Sequence, residues 1–318
     1  MDERLTRSWR VHFIWVLRRL LFIPYLLAMS LALVGCSASR EIPMVTTVLV
    51  GQWPEDVVFD PGSGQIFVAD EGSATITVLG ANGERIRTIR LTTRARHLAV
   101  DPGLGLLYAP NEGSAFIVAF GTRNLEERFR VPVGRQPHGI AVDTSSHRVF
   151  VGNEGEGSLT AFEGHTGQVL FTFPVGQGPG GVAVDPVTGR VFVVSVKEDR
   201  VIVVDGMRGL SLAQLPVGRG PTHLRVNAET GMVYVLNTEA GSLTILDGRH
   251  LRSVATIATG NCPIGIALDE AAGRAYVVNN RGNTLSIVDE ATQKVTKTKQ
   301  LPRNVSSAAL NSRAGLLY

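Results

Sequence analysis

The sequence predicts an all-β protein built from a repeated unit of four short antiparallel strands. One observation is a column of acidic or amide residues that close apolar strand patterns at an interval of 41 and then 42 residues: Asp60, Asp101, Asp143, Asp185, Asn227, Asp269 and Asn311. A second column lies ten residues further along each repeat: Asp70, Asn111, Asn153, Ser195, Asn237 and Asn279. Four strands in each ~40 to 50 residues are typical of a β-propeller. We therefore expect seven blades, each a four-stranded antiparallel sheet.

The repeat is clearest between Pro137 and Val175. Its four strand patterns read HGIAVD, HRVFVGN, SLTAFEG and QVLFTFPV, and each is bounded by Gly, Asp, Asn or Ser. Alternating or wholly apolar patterns separated by such residues are typical of consecutive antiparallel strands. We interpret the recurrent Asp, Asn and Ser of the second column as turn residues, because their side chains can bond the backbone two residues on.

The two ends of the chain are expected to close the last blade together. Met44 to Val50 resembles a fourth strand that arrives before any first strand, and strands from both termini often close a propeller ring. The seventh repeat begins at Pro302 and stops at Tyr318, before its third strand. We expect either a three-stranded last blade or a chain that continues for about 15 residues, and the stop within a strand pattern favours the second.

Three segments resemble a known repeat signature. FVGN at Phe150–Asn153, YVLN at Tyr234–Asn237 and YVVN at Tyr276–Asn279 resemble the Tyr-Val-x-Asn motif of YVTN-type β-propeller repeats, including the YncE-like periplasmic proteins. The resemblance covers about residues 44 to 318 and extends more loosely to NHL-type propellers. It implies the fold and says little about activity, because such folds host many functions.

The N-terminal segment, residues 1–35, is interpreted as a lipoprotein signal peptide. Leu20 to Gly35 carries no charge and follows a basic stretch, as in secretory signals. Leu33 to Cys36 resembles a bacterial lipobox, which implies that Cys36 is lipidated and begins the mature chain. Residues 36–43 then form a lipidated tether and residues 44–318 the propeller domain. An uncleaved membrane anchor is the alternative.

The resemblance to a lipobox implies an extracytoplasmic protein attached to a membrane of the bacterial cell envelope through its lipid. Ser37 follows Cys36, which resembles lipoproteins directed to the outer membrane and would face this protein to the periplasm if the source has two membranes. Several acyl chains on one cysteine would make the attachment durable.

The charge balance argues against a nucleic-acid partner. The chain has 31 Lys and Arg against 28 Asp and Glu, but residues 1–35 hold five Arg and two acids. The remaining domain is balanced at 26 basic and 26 acidic residues, and nucleic-acid binding depends on clustered positive charge. No motif for haem, zinc or a dinucleotide is present, so the sequence assigns no cofactor.

Seven residues are candidates for a ligand site. In the family's geometry the loops before each first strand surround the mouth of a central channel, and they carry Asp56, Arg96, His97, Arg135, His138, Arg219 and His223. Guanidinium groups suit carboxylate or phosphate, which favours an anionic ligand. Asp56, His97 and His223 could alternatively bind a metal. A third interpretation is that these are ordinary loop residues.

Two hypotheses of function follow. We expect a propeller that binds a protein partner or a small ligand on this face without catalysis. The alternative is a propeller enzyme with its site at the channel mouth. It would be a lyase resembling the virginiamycin B lyase type, using a His and a carboxylate as acid and base, or a quinoprotein-like dehydrogenase.

Overall fold

The structure, a computed structural model, describes residues 10–15 and 45–318. Cys36 and the tether 36–43 lie outside these residues, and of the segment interpreted as a signal peptide only Arg10–Trp15 is described. The lipoprotein interpretation therefore stays a prediction.

Two strands precede the repeats, β1 (Arg10–Trp15) and β2 (Val45–Leu49). Blades one and two consist of β3 (Pro54–Asp60), β4 (Gln65–Asp70), β5 (Thr75–Leu79), β6 (Arg85–Arg90), β7 (Ala99–Asp101), β8 (Leu106–Asn111), β9 (Phe116–Gly121) and β10 (Glu127–Pro132). Blades three and four consist of β11 (Pro137–Asp143), β12 (Arg148–Asn153), β13 (Ser158–Glu163), β14 (Val169–Pro174), β15 (Pro179–Asp185), β16 (Arg190–Ser195), β17 (Arg200–Asp205) and β18 (Leu210–Pro216). Blades five and six consist of β19 (Pro221–Val226), β20 (Met232–Asn237), β21 (Ser242–Asp247), β22 (Arg252–Ala258), β23 (Pro263–Asp269), β24 (Arg274–Asn279), β25 (Thr284–Asp289) and β26 (Lys294–Gln300). Short 3₁₀ helices cover Glu71–Ser73 and Val196–Glu198.

The prediction of seven four-stranded blades is wrong. Each of the six complete repeats forms one four-stranded blade, with its strands in sequence order. The seventh repeat supplies only β27 (Leu310–Asn311) and β28 (Leu316–Leu317), two residues each. They join β1 and β2 in a closing sheet of order β27, β28, β1, β2, in which β2 is outermost as expected for Met44 to Val50. Cleavage before Cys36, as the lipoprotein interpretation requires, would remove β1 from this sheet.

The seventh repeat departs from the pattern because its first segment bonds to blade one instead of forming a full strand. The Ser306 hydroxyl donates to the Pro54 carbonyl at 2.5 Å, and the Ser307 hydroxyl donates to Asp56 Oδ1 at 2.9 Å. These bonds connect the last repeat to blade one. Successive first strands, here called inner strands, also contact one another, so the blades form a closed ring.

The core lies between neighbouring blades. Phe150 of blade three, for example, is 1% exposed and packs with Leu159, Val182 and Val191, of which the last two belong to blade four. Apolar burial at every such interface stabilises the ring, since each apolar Å² removed from water contributes about 25 cal/mol. The described part of the chain contains no helix with the length and apolarity needed to cross a membrane.

The two polar columns of the repeat have different roles. Residues of the first column close turns as Asx motifs; Asp60 Oδ1 accepts from the Gly62 amide and Asp143 Oδ1 from the Ser145 amide, both at 2.9 Å. The turn interpretation of the second column is wrong. Asn237 Nδ2 instead donates to Ser242 Oγ and Thr244 Oγ1, at 3.0 and 2.9 Å, and so joins the second strand to the third.

Candidate functional site

Three imidazoles and one carboxylate from four blades meet where the inner strands begin, here called the mouth cluster: Asp56, His97, His138 and His223. The His97 ring lies 4.6 Å from the His138 ring and 4.9 Å from the His223 ring, both in edge-to-face contact. His97 Nδ1 lies 3.6 Å from Asp56 Oδ2. Sequence positions 167 residues apart are thus brought together by the ring.

A β-bulge at the start of the inner strands places these side chains. The pairing register shifts between Pro54 and Asp56 in blade one, between Pro137 and Ile140 in blade three, and between Pro221 and His223 in blade five. Proline has no amide hydrogen for the ladder, and a bulge turns the next side chain away from its regular direction. In blades one, three and five, the Pro that opens the inner strand therefore directs the following residues toward the mouth. In blade two the inner strand β7 opens with Ala99, and His97 lies in the loop before it.

Glycine backbone lines the mouth at blades four and six. A Cβ at Gly181 would lie 2.8 Å from the Thr222 carbonyl oxygen, and one at Gly265 would lie 2.8 Å from the Ser306 carbonyl oxygen. Neighbouring inner strands approach too closely there for any side chain. The polar groups are consequently concentrated on the side of blades one, two, three and five.

Asp56 is the anchor of the cluster. It is 6% exposed, and its carboxylate accepts from the Leu98 amide at 3.1 Å, from the Val57 amide and from the Ser307 hydroxyl, both at 2.9 Å. Burial raises the pKa of Asp56, but the contact with His97, the charge of Arg225 and the bond from Leu98 outweigh it and leave the pKa below 3.8. The ionised carboxylate, held by these three bonds, positions His97.

His138 and His223 are neutral at physiological pH. Burial, followed by the charge that His97 would carry, lowers the pKa of His223 from 6.5 to about 3 and that of His138 well below 6.5. Nδ1 of each ring is buried and has no hydrogen-bond partner. Buried polar atoms are nearly always paired, so two unpaired nitrogens at one mouth indicate a missing partner.

Arg225 is the site residue that sequence reasoning missed. It stands two positions before the residue that closes its inner strand, where the other repeats carry Val58, Ala99, Ala141, Ala183, Ala267 and Ala309. A single guanidinium in a column of small apolar residues was the available signal. Arg225 is half-buried, and its charge lowers the pKa of both Asp56 and His223.

The guanidinium of Arg225 has spare donors. Its Nη1 donates to the Leu224 carbonyl at 3.1 Å, and no carboxylate oxygen of residues 45–318 lies within ion-pair distance of it. Arg96, by contrast, is engaged with Glu71 at 3.0 Å and Glu112 at 3.5 Å, and Arg94 shares both carboxylates. Arg225 is thus the cation of the mouth that is available to a ligand.

The other three candidates, all arginines, lie at the rim of the mouth cluster or outside it. Arg96 lies at the rim of the mouth cluster, where it pairs with Glu71. Arg135 is exposed and pairs with Glu156 at 3.3 Å, and Arg219 is exposed, so neither joins the cluster. No group of three or more His, Cys, Asp or Glu residues in the described part of the chain is placed to hold a metal ion, and the metal alternative gains no support.

A cavity of about 270 Å³ adjoins the mouth between blade six, blade one and the closing sheet. Its walls are mainly apolar and include Val57, Leu285 and Leu317. Asp56 and Ser307 belong to both the cavity wall and the mouth.

Comparison with solved structures establishes the fold. Hydrazine synthase from Kuenenia stuttgartiensis has a chain that matches this one with a TM-score of 0.71, covering 83% of this chain and 92% of that chain. The fold is a β-propeller. At 14% sequence identity the likeness extends to the fold alone, and 1537 matching chains show how widely this architecture is used.

Sequence comparisons add no family. No family model and no curated protein matches the chain. The resemblance to YVTN and YncE-like repeats therefore rests on the residues that carry it.

Proposed function

We propose that this propeller binds a small oxyanion, a carboxylate or phosphate group on an organic ligand, at the channel mouth and without catalysis. The observation that carries the proposal is Arg225, a half-buried guanidinium without a carboxylate partner among the described residues. A desolvated cation of this kind is stabilised by a bidentate anion. The neutral imidazoles of His138 and His223 supply adjacent hydrogen-bonding nitrogens for hydroxyl or amide groups of the same ligand.

The narrow mouth favours a small ligand. The His97 ring lies 4.6 Å from the His138 ring and 4.9 Å from the His223 ring, which leaves little width for a bulky group. The apolar cavity beside Asp56 offers space for a short apolar part of the ligand. We therefore favour a small organic acid or phosphate ester over a polymer.

The test is the substitution Arg225→Ala, which introduces the residue that equivalent positions of other blades carry. Thermal shifts would be screened with small carboxylates, phosphate and phosphate esters, and stabilising anions titrated by calorimetry. We expect Arg225→Ala to raise the Kd about 10- to 100-fold, since a charge-assisted bond contributes about 1.5 to 3 kcal/mol.

The matched control is Arg135→Ala, which removes an exposed arginine of the same face. Its Kd should equal that of the native chain. A stabilising anion whose affinity depends on Arg135 and not on Arg225, or no shift with any of these anions, would contradict the proposal.

We also propose that a lipid on Cys36 holds the domain at a bacterial membrane, on the extracytoplasmic side. If two membranes are present, this is the outer membrane and the domain faces the periplasm. The support is the uncharged run before Leu33 to Cys36 and the resemblance of that segment to a lipobox. Cells grown with labelled palmitate should incorporate label into the native protein and not into Cys36→Ser, while Cys262→Ser, at the other cysteine, should keep it. Equal labelling of the native chain and Cys36→Ser would refute this placement.

A further inference from the structure

The fourth strands, here called outer strands, form the rim of the ring and differ sharply in charge. β6, β10 and β26 carry three charged residues each, β22 carries Arg252, and β14 and β18 carry none. Charged side chains on outer strands keep free sheet edges from pairing with other chains. Blades three and four lack this protection. β2, the outermost strand of the closing sheet, is also uncharged, but Arg85 of blade one donates to its Leu49 carbonyl at 2.7 Å.

The uncharged strands expose apolar side chains instead. Val169 on β14 is 39% exposed, and on blade four Leu210, Leu212 and Met207 are 55%, 43% and 62% exposed. The two blades meet at this rim, since a Cβ at Gly209 would lie 2.8 Å from the half-buried Phe171 ring. The exposed groups therefore form one continuous surface, the blade 3–4 edge: Val169, Phe171, Met207, Leu210 and Leu212.

We propose that the blade 3–4 edge is the interface through which two copies of this chain associate about a two-fold axis. The distribution of charge on the outer strands favours this arrangement. The outer strands of blades one and six carry Arg85, Arg87, Arg90, Lys294, Lys297 and Lys299. They flank the closing sheet on the far side of the ring, so contact through the blade 3–4 edge keeps the cationic rims of both copies apart.

Side-chain packing, and not strand addition, makes this interface. The pairing of β17 with β18 shifts register between Val203 and Val204, which leaves Leu212 as the extra residue of a bulge. Bulges interrupt the ladder and limit edge-to-edge pairing. Charge enters only at the border of the patch, where Arg148 contacts Met207 at 2.8 Å and Arg208 is exposed. An apolar patch is self-complementary across a two-fold axis, because each residue meets its own kind of surface.

The small area of the blade 3–4 edge indicates a weak association of the two copies. Outer strands of six and seven residues are ~20 Å long, and two neighbouring blades give a patch on the order of 400 Å² per copy. Stable complexes bury about 800 Å² per partner, so we expect a weak dimer that forms only at high protein concentration.

The repeat offers a matched pair of variants. Leu212 and Ile86 occupy the same outer-strand bulge position of blades four and one, and are 43% and 47% exposed. Sedimentation velocity of the full chain at about 5 to 500 µM should show a shift toward dimer in the native chain and in Ile86→Lys. Leu212→Lys should weaken association at least about tenfold, because the contact would bury an unpaired charge.

Leu210→Lys, at the most exposed leucine of the strand, should weaken association as Leu212→Lys does. This second variant keeps the test valid if one of the two misfolds. Unfolding curves of all variants show whether each is folded. A native chain that stays monomeric throughout, or equal effects of Leu212→Lys and Ile86→Lys, would overturn the proposal. So would a monomeric native chain whose Leu212→Lys variant alone loses binding to phosphatidylcholine vesicles, which would assign the edge to a lipid surface.

Discussion

The fold holds His138 and His223 as neutral imidazoles. In the folded chain burial lowers the pKa of His223 to about 3, against 6.5 in the unfolded chain. Between these values the unfolded chain binds a proton that the folded chain does not, so the free energy of unfolding falls as the pH falls through this window. Neutral imidazoles also mean that Arg225 supplies the positive charge of the mouth near neutral pH.

His223→Gln is expected to flatten this dependence. From pH 7 to pH 5 the native chain should lose on the order of 1 kcal/mol more unfolding free energy than the variant, after allowance for the partial exposure of the ring. Urea unfolding at both pH values measures the difference. His165→Gln, at an exposed histidine, should behave as the native chain does. Identical pH dependence in the native chain and His223→Gln would show that His223 is not held neutral.

Side chains of the second polar column bond the second strand of a blade to the third, an arrangement here called the lock. Asn153, Asn237 and Asn279 each donate to hydroxyls five and seven residues later on the third strand. Asp70 accepts from Thr75 and Thr77 in the same way. Asn111 and Ser195 lack hydroxyls at those spacings, and their side chains bond to Thr92 and to the Gln177 carbonyl instead.

Asn237→Ala should lower the free energy of unfolding by about 1 to 3 kcal/mol, because two buried hydroxyls lose their partner. Urea unfolding provides the measurement. Asn261→Ala, in an exposed loop, should change it by less than about 0.5 kcal/mol. Equal stabilities of the two variants would contradict the lock.

The sequence period could predict the blades, since alternation and turn residues act locally. It could also place Asp56, His97, His138 and His223 on one face through the repeat frame. The lock of Asn237 and the role of Arg225 could not be predicted in the same way, because each depends on which side chain lies opposite after strands pair and blades close. Those contacts are set by register and bulges such as that between Pro221 and His223.

Viewed as a whole, the molecule is a ring whose repeats are equivalent in backbone and unequal in side chains. Seven repeat beginnings predicted seven blades, but Ser306 and Ser307 bond to blade one and leave β27 and β28 two residues long. Polar residues concentrate at the mouth on blades one, two, three and five, and apolar residues on the rim of blades three and four. Function is expected where the repeats differ, since a feature shared by every blade serves the fold.

The most direct test of the mouth as an oxyanion site is a crystal soaked in selenate, with the anion located by the anomalous scattering of selenium. We predict a peak within hydrogen-bond distance of the Arg225 guanidinium and beside His223 or His138, and no such peak in Arg225→Ala crystals. Selenate bound only at exposed arginines such as Arg135, with the mouth occupied by water alone, would contradict it.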